Sequence, residues 1–187
     1  FLMYFIDAIK AYLPADEEEQ AEKEAIAALL QEKGCTVLSR ENALAHMTST
    51  AMIFNEEKDK LLMVHHNIYD TWACVGGHAD GMDDLLQVAL KETEEETGVK
   101  NLRSVSEQIL SLDILQVAKH YKRGKYVPNH LHLNATYGLI ASESEPLRVK
   151  ADENSAVMWV PIAELDAYSK EPEFVKVYRK IIKKVIK

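Results

Sequence analysis

The stretch that decides the fold runs from Gly76 to Val99: Gly76-Gly-His-Ala-Asp-Gly-Met-Asp-Asp-Leu-Leu-Gln-Val-Ala-Leu-Lys-Glu-Thr-Glu-Glu-Glu-Thr-Gly-Val99. Gly76, Gly77 and Gly81 mark a backbone that needs unusual dihedrals or a close approach to another group. Asp83 or Asp84 then starts a helix, and Gly98 lies where a C-terminal cap belongs. Within that helix Glu92, Glu95 and Glu96 fall at i, i+3 and i+4, so three carboxylates share one face. Leu86, Ala89, Leu90 and Thr93 form a second stripe that can meet a core. Carboxylates near a helix C-terminus oppose the macrodipole and repel one another. A hard divalent cation with oxygen ligands removes that conflict. The plain alternative is a solvated acidic face, and the glycine stretch at a fixed distance ahead favours the cation.

Outward from this stretch, 187 residues suffice for one full-sized domain with room for a small appendage. A chain 47% hydrophobic and 28% charged, with only 7 Gly and 5 Pro, has the composition of a globular protein without long disordered linkers. A net charge of -8 argues against a surface that neutralises the phosphates of a nucleic acid polymer, but leaves room for a small phosphorylated ligand if a metal supplies positive charge. Cys35 and Cys74 have neither the number nor the spacing of a disulfide framework or a zinc site, so they read as reduced thiols in a cytoplasmic protein, Cys74 in a strand. The opening apolar run is interrupted by Asp7 and Lys10, and neither a signal peptide nor a membrane segment is expected.

In chain order, Phe1, Phe5, Ile6, Ile9 and Leu13 recur at helical spacing, and residues 16–33 form a second helix closed by Gly34. This helical hairpin covers an edge or face of the main domain, or a partner copy in a homodimer. Residues 48–54 and 61–66, joined by a polar turn, read as a β-hairpin, and residues 71–75 as a strand leading into the glycine loop. Residues 109–117, 131–141 and 156–160 have strand character. Pro161 opens a short helix through Tyr168, and a final amphipathic helix over 172–187 carries Phe174, Val177, Ile181 and Val185 in its stripe. That order predicts a sheet covered by helices on two sides. Tyr69, Trp72, Tyr121, Tyr126 and Trp159 could stack on a base, but packing is their plainer role.

The chain has seven histidines. His65 and His66 end a strand, while His130 and His132 fall on one side of another and read as strand residues lining a partly polar surface. None has the i, i+4 helical spacing of a zinc pair. His78, by its location in the glycine stretch, is the candidate for contacting phosphate or substrate.

The central stretch resembles the Nudix box, the signature of hydrolases acting on a nucleoside diphosphate linked to another group. The family pattern is Gly, five residues, Glu, seven residues, then Arg-Glu-aliphatic-x-Glu-Glu-x-Gly-aliphatic. From Gly77 this chain has Asp83 after five residues, Lys91 after seven more, then Glu92-Thr-Glu-Glu-Glu-Thr-Gly-Val99. The spacing is complete. Asp83 replaces Glu, Lys91 replaces Arg, Thr93 replaces an aliphatic residue, and Val75 stands where Pro is common. The late segment Trp159-Val-Pro-Ile-Ala-Glu-Leu165 is similar to the family as well.

The resemblance implies an α/β fold, a Nudix-type α/β/α sandwich with a mixed sheet, over residues 46–187, preceded by the helical hairpin within 1–45. It implies a divalent-metal-dependent diphosphate hydrolase for a small phosphorylated metabolite. Mg2+ or Mn2+ would be held by Glu92, Glu95 and Glu96 with the Gly77 carbonyl. Glu95 or Glu96 would position the attacking water, and Gly76 and Gly77 would line the substrate phosphates. Lys91 cannot make the two-pronged contact of an arginine, so it orients its glutamate less firmly. Asp83, one methylene short of Glu, acts through water or not at all. Some relatives use a glutamate outside the box, a role for which Glu153 and Glu143 are the candidates. The alternative kept open by Lys91 and Asp83 is a sensor that binds a nucleotide or ADP-ribose without cleaving it. The isopentenyl diphosphate isomerases share the fold, but their active-site residues are not evident in this chain.

Overall fold

The computed structural model of the chain describes residues 4–122 and 124–186. It opens with two helices, α1 (Tyr4–Ala11) and α2 (Glu17–Lys33). The Asp16 side chain accepts the Glu19 N–H and starts α2, and Gly34, at φ 55°, closes it. Phe5 and Ile9 of α1 are buried, Leu13 is exposed beyond its end, and Phe1 lies outside the described residues. A 3-10 turn (Gly34–Leu38) leads to β1 (Ala45–Phe54), and a polar turn to β2 (Lys60–His66).

β1 is buried along almost its whole length, as a strand covered on both faces must be. It runs parallel to β9 (His130–Ile140) through ten register pairs, from Ala45↔Leu131 to Phe54↔Ile140. On its other side it changes neighbours. β2 pairs with it only at Ile53↔Leu62 and Phe54↔Leu61, then separates to pair with β3 (Thr71–Ala73) and β10 (Asn154–Pro161). β4 (Val75–His78) takes the vacated edge from Thr48 to Ala51. β5 (Arg103–Ser104) and β6 (Ser111–Val117) pair with β9, and β7 (His120–Lys122) with β8 (Lys125–Val127) forms a separate hairpin. One parallel pair among antiparallel ones makes the sheet mixed.

Alternation along β1 sorts the two layers. Met47, Ala51 and Ile53 share an apolar cluster with Phe5, Ile9, Ile26, Leu30 and with Leu85 and Ala89 of α3 (Leu85–Thr97). Met52 and Phe54 face the other way, toward Leu165 of α4 (Leu165–Tyr168) and toward Tyr178, Ile181 and Ile182 of α5 (Pro172–Val185). Each large apolar side chain removed from water here contributes about 1.5–3 kcal/mol. The α5 stripe is rotated from the expected one: Val175, Tyr178, Ile181 and Ile182 are buried, with Phe174, Val177 and Val185 packed at the margin. Pro161 ends β10, and the helical turn starts after it.

Past the β6 edge the two layers are tied by charge. Glu19 of α2, 2% exposed, accepts from the Tyr12 hydroxyl at 2.7 Å, the Ala15 N–H at 2.7 Å and Lys184 Nζ at 2.9 Å, with Lys180 Nζ at 3.1 Å. Burial works against its ionised form, but these donors hold the carboxyl at about 2.

Candidate functional site

The departure of β2 from β1 leaves β4 beside α3, and the two corrections to the glycine reading lie there. Gly76 and Gly77 are not in a loop; they pair with Thr50 and Ser49 in the sheet. Cys74 is not in a strand but is the buried link between β3 and β4. The glycines serve close approach rather than unusual dihedrals. A Cβ on Gly77 would overlap the Glu92 carboxyl carbon, and one on Gly76 would crowd Thr50 Oγ1 at 2.9 Å. The tight turn comes next, with Asp80 at φ 46° and Gly81 at φ 90°. Asp84, not Asp83, caps α3, its Oδ1 accepting from Leu86 N and Gln87 N at 3.1 Å each, and Gly98 ends the helix at φ 79°.

The expected helix faces also shift. Glu92, Thr93 and Glu96 lie on the buried side with Leu85, Val88 and Ala89, whereas Leu86 and Leu90 are only partly buried. Glu95 stands at the half-exposed rim. The carboxylates are therefore held differently. Glu96 accepts from Asn154 Nδ2 at 2.7 Å and from Gly76 N at 3.4 Å. Glu95 lies 3.6 Å from Lys91 Nζ and 3.5 Å from Lys150 Nζ, and Glu92 lies 3.7 Å from Lys91. Among the described residues, no Lys or Arg reaches Glu96 within 4 Å.

Burial, reinforced by Glu92 and Glu153, raises the Glu96 carboxyl to about 7 against the bonds from Asn154 and Gly76. Glu92 is raised by burial and by Glu95, with Lys91 opposing. Beside them the buried Asn154 Oδ1 has no hydrogen-bond partner. Among the described residues, a buried Glu96 with no cation within 4 Å, a neighbouring Glu92 met only by the rim lysine Lys91, and an unused oxygen acceptor beside them fit a hard divalent ion.

Glu153 is brought to this cluster, 3.3 Å from Lys150 Nζ, and its charge reaches Glu92 and Glu96. Glu143 is not. It is bonded to Lys60 at 2.7 Å and Asn55 at 3.0 Å, at the β1–β2 turn. Asp83 precedes the helix cap, nine residues before Glu92 and on the order of 13 Å away along the axis. Lys150 and Asn154 escaped sequence reasoning. Their signal was the polar run Lys150-Ala-Asp-Glu-Asn154 just before β10, which lacks meaning until β10 pairs with β2.

His78 lies on the other face of the sheet. Ser49 Oγ donates to Leu85 O of α3, so Ser49 faces α3 and its neighbour Thr48, the register partner of His78, faces away. There His78 meets His46 and His132 at ring separations of 5.1 and 4.9 Å. Burial, with Arg40 and His46 nearby, lowers the His78 ring to about 3, so it offers no positive charge to a phosphate near neutrality. His130 and His132, read from sequence as lining a polar surface, join the same group. Tyr121 and Tyr126 are exposed and face each other on the β7–β8 hairpin, while Trp159 is partly buried with its ring N–H unpartnered.

The NUDIX domain profile matches residues 45–185. The chain belongs to this family and is an enzyme of the Nudix type. None of the curated protein sequences compared with the chain matches it. Among solved structures, a C. elegans Ap4A hydrolase in a binary complex shares 16% identity at a TM-score of 0.54, covering 72% of this chain and 93% of its own. The E. coli dihydroneopterin triphosphate pyrophosphohydrolase shares 16% at 0.55, covering 75% and 94%. The NUDIX domain of Shewanella oneidensis NrtR, complexed with ADP ribose, shares 18% at 0.52, covering 74% and 86%. At these identities the likeness is one of fold. Among the described residues no helix is long and apolar enough to cross a membrane.

Proposed function

We propose that the chain is a divalent-cation-dependent hydrolase that cleaves a diphosphate linkage in a nucleoside diphosphate derivative or a related small phosphorylated metabolite. The observation that carries this reading is the pair of buried carboxylates, Glu92 and Glu96, set one helical turn apart against Gly77 and Gly76. Glu92, Glu95 and Glu96 are the residues to hold Mg2+ or Mn2+, and the family resemblance adds the Gly77 carbonyl to that set. When bound, such an ion offsets the negative charge that develops on the diphosphate oxygens.

The protein's own groups supply the rest. Glu96, kept in place by Asn154, is the group to orient water and accept its proton. Glu153, the candidate outside the box, stands beside it as the second carboxylate able to do so. Lys91 and Lys150, at the rim, meet the incoming phosphate charge and release Glu95 as they do. Asp83, which lies ahead of the α3 cap, takes no direct part in this step.

A screen of nucleoside diphosphate sugars, dinucleoside polyphosphates, nucleoside triphosphates, ADP-ribose and coenzyme A esters, with Mg2+ and Mn2+ and scored by product masses, tests the proposal. Product that appears only with the ion, and disappears in the Glu95→Gln/Glu96→Gln variant, is the expected result. Turnover unchanged in that variant defeats it. Tight calorimetric binding of ADP-ribose or a nucleotide without any product would identify a sensor instead.

A further inference from the structure

We propose that His46, His130 and His132 form a second metal site, specific for a zinc-class transition ion and separate from the glutamates of α3. One ring nitrogen from each lies within 4.8 Å of those of the other two. The topology builds this group: His46 and His132 are register partners on the parallel strands β1 and β9, and His130 is two residues from His132 on the same face.

The hydrogen bonds aim the rings. His46 donates its Nδ1–H to the Asn42 carbonyl at 3.0 Å, and His130 donates its Nδ1–H to the Pro128 carbonyl at 2.9 Å. Both rings must then carry their lone pair on Nε2. A backbone carbonyl on the far nitrogen is the support that metal-binding imidazoles commonly have. The His46 Nε2 is 4% exposed by residue and buried without any partner, which is costly for a polar atom with nothing to accept. His130 Nε2 accepts the His132 Nε2–H, whose proton a bound ion would displace, and the two nitrogens stand 3.2 Å apart. That is close to the roughly 3.3 Å separating two nitrogens about 2.05 Å from one tetrahedral ion.

The donor set selects the ion. Three neutral imidazoles with no carboxylate suit zinc and its neighbours rather than magnesium. The His78 ring packs next to His46 and His132 and adds a further imidazole to the wall of this site. Among the described residues, the Arg40 guanidinium beside this group is neutralised by Asp80 through two bonds of 2.7 and 2.6 Å. Nothing in this site depends on the hydrolytic reading, because the two sites use different residues on opposite faces of the sheet.

Chelator-stripped full-length protein titrated with Zn2+ against a chromophoric chelator tests this. One ion per chain, bound with submicromolar affinity, is expected. His130→Ala and His132→Ala should each weaken binding at least 100-fold, and Glu92→Gln/Glu96→Gln should retain it. X-ray absorption of the zinc-loaded wild type should give three imidazole nitrogens at about 2.0–2.1 Å, a readout that needs no variant to fold. No stoichiometric zinc, an all-oxygen shell, or affinity lost in the glutamate variant but kept in the histidine variants would each overturn the proposal.

Discussion

Two regions of this molecule bury carboxylates, and they treat them in opposite ways. Glu19 is surrounded by Lys184, Lys180, Tyr12 and the Ala15 amide, and its carboxyl sits at about 2. Glu96 is no less buried, yet it receives one amide side chain and one backbone N–H, and its carboxyl sits at about 7. The first is a finished ion-pair network that ties α2 to α5. The second is left incomplete by the protein, with its nearest lysines at the rim. A buried charge that the fold does not satisfy is where a ligand can supply the missing partner.

The largest effect that would break this contrast is on turnover. Glu96→Gln should lower kcat by about 100-fold or more with circular dichroism unchanged; retained kcat would place the proton transfer elsewhere. The same variant has a stability signature. Because the folded carboxyl lies above its ordinary value, its contribution is present below about 4.5 and lost as pH rises through about 7. Metal-free wild type should therefore lose up to roughly 3 kcal/mol between pH 5 and 8, a slope that Glu96→Gln flattens and that urea titrations would measure.

Glu19→Gln should do the reverse. Its depressed carboxyl contributes stability present above about 4.5 and lost as pH falls through about 2, so the variant should be destabilised by about 3 kcal/mol at pH 7, with the difference from wild type closing in acid. Activity per folded molecule should not change. Gly77→Ala should push Glu92 aside and reduce kcat by roughly 10-fold, with only a modest shift in Tm. The smallest effect belongs to Lys91→Arg. A forked donor can hold Glu92 and Glu95 at hydrogen-bond distance where the lysine stands 3.7 and 3.6 Å away, and a few-fold rise in kcat/KM is expected.

Much of the fold was legible in residue order because it rests on local chemistry. Asp16 and Gly34 bound α2, Asp84 and Gly98 bound α3, and alternating apolar runs mark β1, β2 and β9. The misreadings share one cause. Gly76 and Gly77 look like a loop until β4 is seen to fill the edge that β2 leaves, and Leu86 and Leu90 look like part of the core stripe until α3 is docked with Glu92 and Glu96 inward. Periodicity reports which residues share a face, but not which face turns in.

The sequence by itself determined the Nudix signature, its three glutamates at helical spacing and the glycines before them, since these depend only on positions within one segment. Tertiary structure alone decided that Glu96 would be held by Asn154, that Lys150 and Glu153 would join it, and that His46 would stand beside His130 and His132. Those contacts span between 55 and 86 residues of chain, as between Glu95 and Lys150 or between His46 and His132. They exist only because β10 pairs with β2 and β1 pairs with β9, registers set by the packing of the whole sheet.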